Sequence, residues 1–116
     1  MNRGSTLLLL LMLAGCAEEV AVGGRSIRMG SDRQALWRTL GEPDIVGERY
    51  PDSEFFYLPG DVANRESRNR EYLHYYLADN VGVLEANRRI TRVVELTAGE
   101  RETAERGIAH YKQKGQ

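Results

Sequence analysis

The stretch Glu71-Tyr72-Leu73-His74-Tyr75-Tyr76-Leu77-Ala78 is dense in residues favoured on a pleated surface. A strand turns successive side chains to opposite faces. Leu73, Tyr75 and Leu77 then share one face, and Tyr72, His74 and Tyr76 the other. One face has to be covered, and the chain offers a helix to cover it. The expectation is a small α+β domain, a short helix packed on an antiparallel sheet.

Reading outward, Asp79-Asn80 is a turn signal and Val81-Gly82-Val83-Leu84 a further strand. Asn87-Arg88 marks another turn, before Ile90-Thr91-Arg92-Val93-Val94-Glu95-Leu96, with Ile90, Val94 and Leu96 expected on one face. On the other side, residues 61–69 are polar and read as a loop. Glu54-Phe55-Phe56-Tyr57-Leu58 is an aromatic strand that stops at Pro59-Gly60. Strands in this order predict a meander.

The helix lies further upstream, from about Asp32 to Leu40. Ser31 or Asp32 can cap it, and Gln34 has capping-box spacing from Ser31. Leu36, Trp37 and Leu40 give it one apolar face. Gly41 suits a left-handed C-terminal cap, and Pro43 forbids continuation. After the last strand, Thr97 and Glu100 repeat the capping-box spacing. Ala104, Ile108 and Tyr111 then recur at i, i+4 and i+7. This thin stripe, weakened by Gly107, predicts a loosely docked C-terminal helix.

Composition bounds the function. The chain has 116 residues, room for one domain. At 41% hydrophobic it has the material for a core. A net charge of −1 argues against a polyanion binder. One cysteine excludes an intramolecular disulfide framework.

The amino terminus is the most specific signal. Arg3 precedes the apolar run Leu7 to Ala14, too short for a bilayer core about 30 Å thick, so residues 1–15 read as a secretory leader. Leu13-Ala14-Gly15-Cys16 resembles the bacterial lipobox, in which small residues precede an obligatory cysteine. The resemblance implies leader removal before Cys16, alkylation of its thiol by a diacylglycerol unit and acylation of the new amino group. The alternative is an ordinary leader with a chance cysteine. Ala17, rather than Asp, follows Cys16, which by the same resemblance implies retention at the outer membrane, facing the periplasm. Losing the leader removes Arg3, so the net charge moves from −1 to −2. Residues 16–27, with Gly23-Gly24, read as a flexible tether, and 28–116 as the domain.

From Gly30 to Pro43 the chain resembles the opening of the SmpA/OmlA family of small outer-membrane lipoproteins, which includes an accessory of the β-barrel assembly machinery. Gly30, Leu36, Leu40, Gly41 and Pro43 hold that family's spacing, and Asp32 stands where its capping Thr would. Ser31 replaces the family's Met. Phe55-Phe56-Tyr57 occupies the place of its aromatic strand. The resemblance covers about 70 residues and implies a non-enzymatic accessory in outer-membrane assembly or integrity.

No catalytic constellation is visible: no nucleophile elbow, phosphate loop or His-Glu-x-x-His. The expectation is no enzyme, metal, cofactor, nucleic acid or small-molecule substrate. His74 reads as an exposed or hydrogen-bonded strand residue, and Trp37 as core. Arg65, Arg68 and Arg70, with Arg88, Arg89 and Arg92 further on, read either as a patch for phospholipid head groups or an acidic partner, or as a solvated loop and turn. With the helix on the leucine face of its strand, Tyr72, His74 and Tyr76 are displayed. Tyr72 and Tyr76 beside Arg65, Arg68 and Arg70 are then the candidate anchors for an envelope protein. The rival reading is a periplasmic inhibitor or regulator that binds an enzyme through its sheet face.

Overall fold

Gly23 and Gly24 both adopt positive φ, 56° and 80°. Two such residues in succession make the two-residue turn whose twist matches a β-hairpin. The flanking strands are β1 (Glu19–Val22) and β2 (Arg25–Arg28), paired with Val22 opposite Arg25. A computed structural model describes residues 18–114, and over residues 18–27 the expected tether is this hairpin. Val22 and Ile27 are buried against Leu36 and Leu40, which is why the segment is held. The lipobox and Cys16 lie outside the described residues.

Helix α1 (Arg33–Leu40) follows as expected. Asp32 caps it, its Oδ1 accepting from the Ala35 N–H at 2.9 Å. Ser31 makes no capping box; its hydroxyl donates to the Arg28 carbonyl at 2.6 Å. Gly41, at φ 87°, ends the helix by donating to the Trp37 carbonyl at 2.9 Å.

The main sheet has five antiparallel strands in the order β4-β3-β5-β6-β7. They are β3 (Ile45–Arg49), β4 (Glu54–Tyr57), β5 (Glu71–Tyr76), β6 (Val81–Ala86) and β7 (Arg89–Glu95). The α+β class is as expected, and β5-β6-β7 is a meander. Strand β3 is additional: it lies between β4 and β5, so β4 is an outer strand. Between them the chain crosses back through a short helix, α2 (Pro59–Val62), which starts at the Pro59-Gly60 read as a stop. Val62 from this helix is buried with Val46 and Tyr72.

Both faces of the sheet are covered. Helix α1 and the first hairpin lie over Tyr76, Val83 and Ile90. Helix α3 (Ala98–Lys114) lies over Leu73, Tyr75, Leu84 and Leu96 on the opposite face. Its capping box forms: Thr97 N–H donates to Glu100 Oε1 at 2.8 Å, and Glu100 N–H to Thr97 Oγ1 at 3.1 Å. Ala104, Ile108 and Tyr111 face the sheet. A Cβ on Gly107 would sit 3.0 Å from Ile45 Cδ1, so this glycine permits a close crossing.

Two face assignments are corrected. It is the Tyr72/His74/Tyr76 face of β5 that meets α1, not the leucine face, and Tyr72 and Tyr76 are 0% and 6% exposed. In β7 the register slips opposite Leu84/Glu85, where Arg92 and Ile90 are successive partners and Thr91 is skipped. This bulge turns Ile90 to the α1 face while Val94 and Leu96 keep the α3 face.

Candidate functional site

The inward face of β5 and β6 carries charge into the core. Glu85, two residues beyond Val83, is buried, as are His74 and Arg33. Arg33 lies along Glu85, with Nε to Oε1 at 2.9 Å and Nη2 to Oε2 at 3.2 Å, and its Nη1 donates to the Val62 carbonyl. Ser67 Oγ donates to Glu85 Oε2 at 2.8 Å. The Trp37 indole N–H, which can only donate, meets His74 Nδ1 at 3.1 Å. That nitrogen therefore carries a lone pair, and Nε2–H donates to Glu85 Oε1 at 2.8 Å.

The electrostatics agree with this proton placement. Burial pushes His74 below its ordinary value, and the nearby Arg33 charge adds to this against the pull of Glu85. Burial by itself raises Glu85, but the bonds from His74 and Arg33 outweigh it and bring it down to about 2. The core thus holds a neutral histidine on an ionised Glu85–Arg33 pair. A serine, a histidine and a carboxylate meet here, yet in the wrong order for nucleophilic catalysis. Ser67 bonds to the carboxylate, not to the imidazole, and Trp37 occupies the other ring nitrogen. The set fastens α1 and the 63–70 loop to β5 and β6.

A second cluster surrounds Glu48 on β3, also buried. Its carboxylate accepts from Tyr57 Oη at 3.0 Å and Arg70 Nη1 at 2.8 Å, with Arg65 Nη2 at 3.5 Å. Burial alone raises its pKa, but bonds from Tyr50 and Tyr57 and the Arg70 charge bring it below the ordinary value. Arg65 also lies over the Tyr57 ring, 4.7 Å from its centroid, and reaches Tyr72 Oη at 3.4 Å.

The structure therefore sorts the expected anchors. Arg65 and Arg70 do converge on Glu48, and Tyr72 joins them through Arg65. Arg68 lines the same exposed concavity as Arg65 and Arg70. Tyr72 and Tyr76 are corrected as partner anchors: a partner cannot reach a side chain under Val62, and Tyr76 Oη is engaged 2.8 Å from the Gly41 carbonyl. The exposed aromatics are instead Tyr50 and Phe55, 43% and 58% exposed, stacked edge-to-face at 5.3 Å beside the β3–β4 turn. Sequence reasoning missed Arg33, Glu48, Ser67, Glu85 and Tyr50. The alternation Val81-Val83-Glu85 was the signal for Glu85. No such signal marks Arg33 or Ser67.

A further concavity of about 480 Å³ lies between β4 and α3, lined by Phe56, Tyr57, Gly107, His110 and Tyr111 among others. Tyr111 Oη donates to the Phe56 carbonyl at 2.5 Å across its floor. Among the described residues no group of His, Cys, Asp and Glu side chains is placed to hold a metal, and no helix is long and apolar enough to cross a membrane. Comparison with protein-family models, curated proteins and solved structures gives no match for this chain.

Proposed function

We propose that this chain is a lipid-anchored protein of the bacterial outer membrane, facing the periplasm, and a non-catalytic binding accessory in envelope assembly or integrity. The lipobox around Cys16 supports the anchor, and the SmpA/OmlA resemblance from Gly30 to Pro43 supports the accessory role. One structural observation carries the binding reading: the buried ionisable side chains Arg33, Glu48, His74 and Glu85 are bonded to one another or to neighbouring side chains. Chemistry needs groups free to exchange protons or bonds with a substrate, and these are committed to the fold. The binding reading accordingly rests on the exposed surface. The helices over the two faces of the sheet support this reading over its rival, a periplasmic inhibitor or regulator that binds an enzyme through its sheet face.

The test is purification in mild detergent. The mature chain is expected to carry acyl mass on Cys16 and to co-purify with envelope proteins. Cys16→Ser is expected to abolish both leader removal before residue 16 and function in cells. A mature chain without acyl mass overturns the anchor. A pure chain with hydrolytic or transfer activity overturns the accessory role.

A further inference from the structure

The strand ends are not alike. At one end of the sheet five segments meet. Tyr50 lies in the β3–β4 turn and Phe55 near the start of β4, level with Glu48 and so with Tyr72. The 65–70 loop leads into β5 at the same level. The β6–β7 turn, Asn87 and Arg88, is stitched to that loop: Asn87 N–H donates to the Ser67 carbonyl at 2.9 Å, and Asn87 Oδ1 accepts from Asn69 N–H at 2.9 Å. Residues 29–31 lie against the start of β7, with Gly30 N–H donating to the Ile90 carbonyl at 2.7 Å. Finally, Met29 N–H donates to the Glu18 carbonyl at 2.8 Å, so the chain enters the domain at this end.

The entry point matters because the tether is a hairpin. Only Ala17 lies between Cys16 and Glu18, so the two are two chain steps apart, a reach of at most about 7 Å. Four inter-strand spacings make this end about 19 Å wide. An acyl chain on Cys16 would hold such a surface close to the head groups. What it carries suits that place. Tyr50 and Phe55 are two of the three large apolar side chains exposed among the described residues. Aromatic side chains concentrate at membrane interfaces, and guanidinium groups fork onto phosphate oxygens. Arg88 is paired with Glu66 at 2.8 Å and Arg28 with Glu19 at 3.6 Å. Arg68 and Arg89 are both exposed and have no carboxylate within 4 Å among the described residues, and Arg89 Nη1 donates to the Gly30 carbonyl at 2.9 Å, which holds its guanidinium at this end. Exposed Glu18, Asp52 and Glu71 share this end, so contact rests on individual guanidinium groups and aromatic insertion, not on a large net charge.

We propose that this end of the domain, through Tyr50, Phe55, Arg68 and Arg89, lies on the phospholipid head-group layer that holds the anchor. The proposal rests on the reading that Cys16 is lipidated. It leaves protein partners the helix-covered sides.

The test places a reporter at the tip. Mature lipidated protein carrying Phe55→Trp, or separately Tyr50→Trp, is reconstituted into phosphatidylcholine vesicles with about 30% phosphatidylserine, with and without bromine on the acyl chains. Flotation of the parent chain reads the anchor, and bromine quenching of the added emission reads the docking. Expected is flotation of all variants and quenching at positions 55 and 50. Replacing Arg68→Gln and Arg89→Gln is expected to keep flotation while lowering the ratio of docked to undocked protein about fivefold for each arginine. A parent chain that does not float overturns the anchor and the docking together. A floating chain whose tip is unquenched overturns the docking alone, as does tip emission that only an added envelope protein shields.

Discussion

Glu85 is the residue on which most of the buried polarity turns. Four donated bonds from Arg33, Ser67 and His74 converge on its two oxygens. Truncation leaves the Arg33 guanidinium buried without its counter-ion, and breaking a buried pair costs about 3–5 kcal/mol. Glu85→Ala is therefore expected to lower stability by that amount in urea denaturation, and Arg33→Met with Glu85→Leu together by less than Glu85→Ala alone. The pH dependence follows from the same groups. His74 is held below its ordinary value of 6.5, so the unfolded chain takes up a proton first. Its contribution is complete above about pH 6.5 and is lost as pH falls. Glu85, at about 2 in the fold against an ordinary value of 4.5, adds a second loss as pH falls below 4.5. That loss amounts to about 3 kcal/mol. Glu54, raised by burial, acts in the opposite sense, stabilising as pH falls through its raised value. In His74→Gln the loss between pH 6.5 and 4.5 is expected to disappear, which chemical denaturation at stepped pH reads directly. The strand read from Val81 stopped at Leu84, so Glu85 was missed although it continues the alternation of Val81 and Val83, and Arg33 carried no sign at all. Nothing local to a helix start says that a carboxylate 52 positions away will meet it.

Among the elements, α1 was legible because cap, apolar face and stop all agree within a dozen residues. Leu36→Ala, at a buried position, is expected to cost about 2–5 kcal/mol. Strand β3 was not legible. Its sequence, Ile-Val-Gly-Glu-Arg, shows no alternation because Glu48 turns inward and Gly47 lies under the Glu54 side chain. The bulge at Thr91 was equally hidden, since a period-2 reading cannot know where one residue is skipped. For α3, Gly107 has two readings with opposite signs. Propensity alone says that a larger residue stabilises a helix interior. The crossing says otherwise, because Ile45 and Phe56 stand 3.0 Å from where a Cβ would go. Gly107→Leu is expected to destabilise by about 1–3 kcal/mol in thermal or urea unfolding. Gly60→Ala, where no atom lies within 4 Å, is expected to fall within about 0.5 kcal/mol of the parent.

For the whole molecule, the sequence was right about class and wrong about what is outside. One helix in hand implied one covered face, so the tyrosine row of β5 was left to solvent. The second cover, α3, was foreseen as loosely attached and was not assigned a face. Once both helices take a face, the aromatics that remain exposed are those beyond their reach, at the β3–β4 turn. The tether failed for a related reason. Two adjacent glycines signal flexibility in a linker and a tight turn in a hairpin, and only Val22 and Ile27 finding a core decides between them. If that hairpin is part of the folding unit, Ile27→Ala is expected to lower the single unfolding transition by about 2–5 kcal/mol. A separate early transition would instead show an independent tether.

The chain has one tryptophan, and Trp37 is joined to His74 through the indole N–H, with ring centroids 5.9 Å apart. The parent protein therefore carries its own optical gauge. The light emitted by that half-buried indole reports its contact with the buried His74, and an imidazole in contact can dim it. When acid charges the imidazole, the donated bond must break before the fold gives way elsewhere. A brightness change that precedes loss of ellipticity on acidification would show the core loosening from its centre outward.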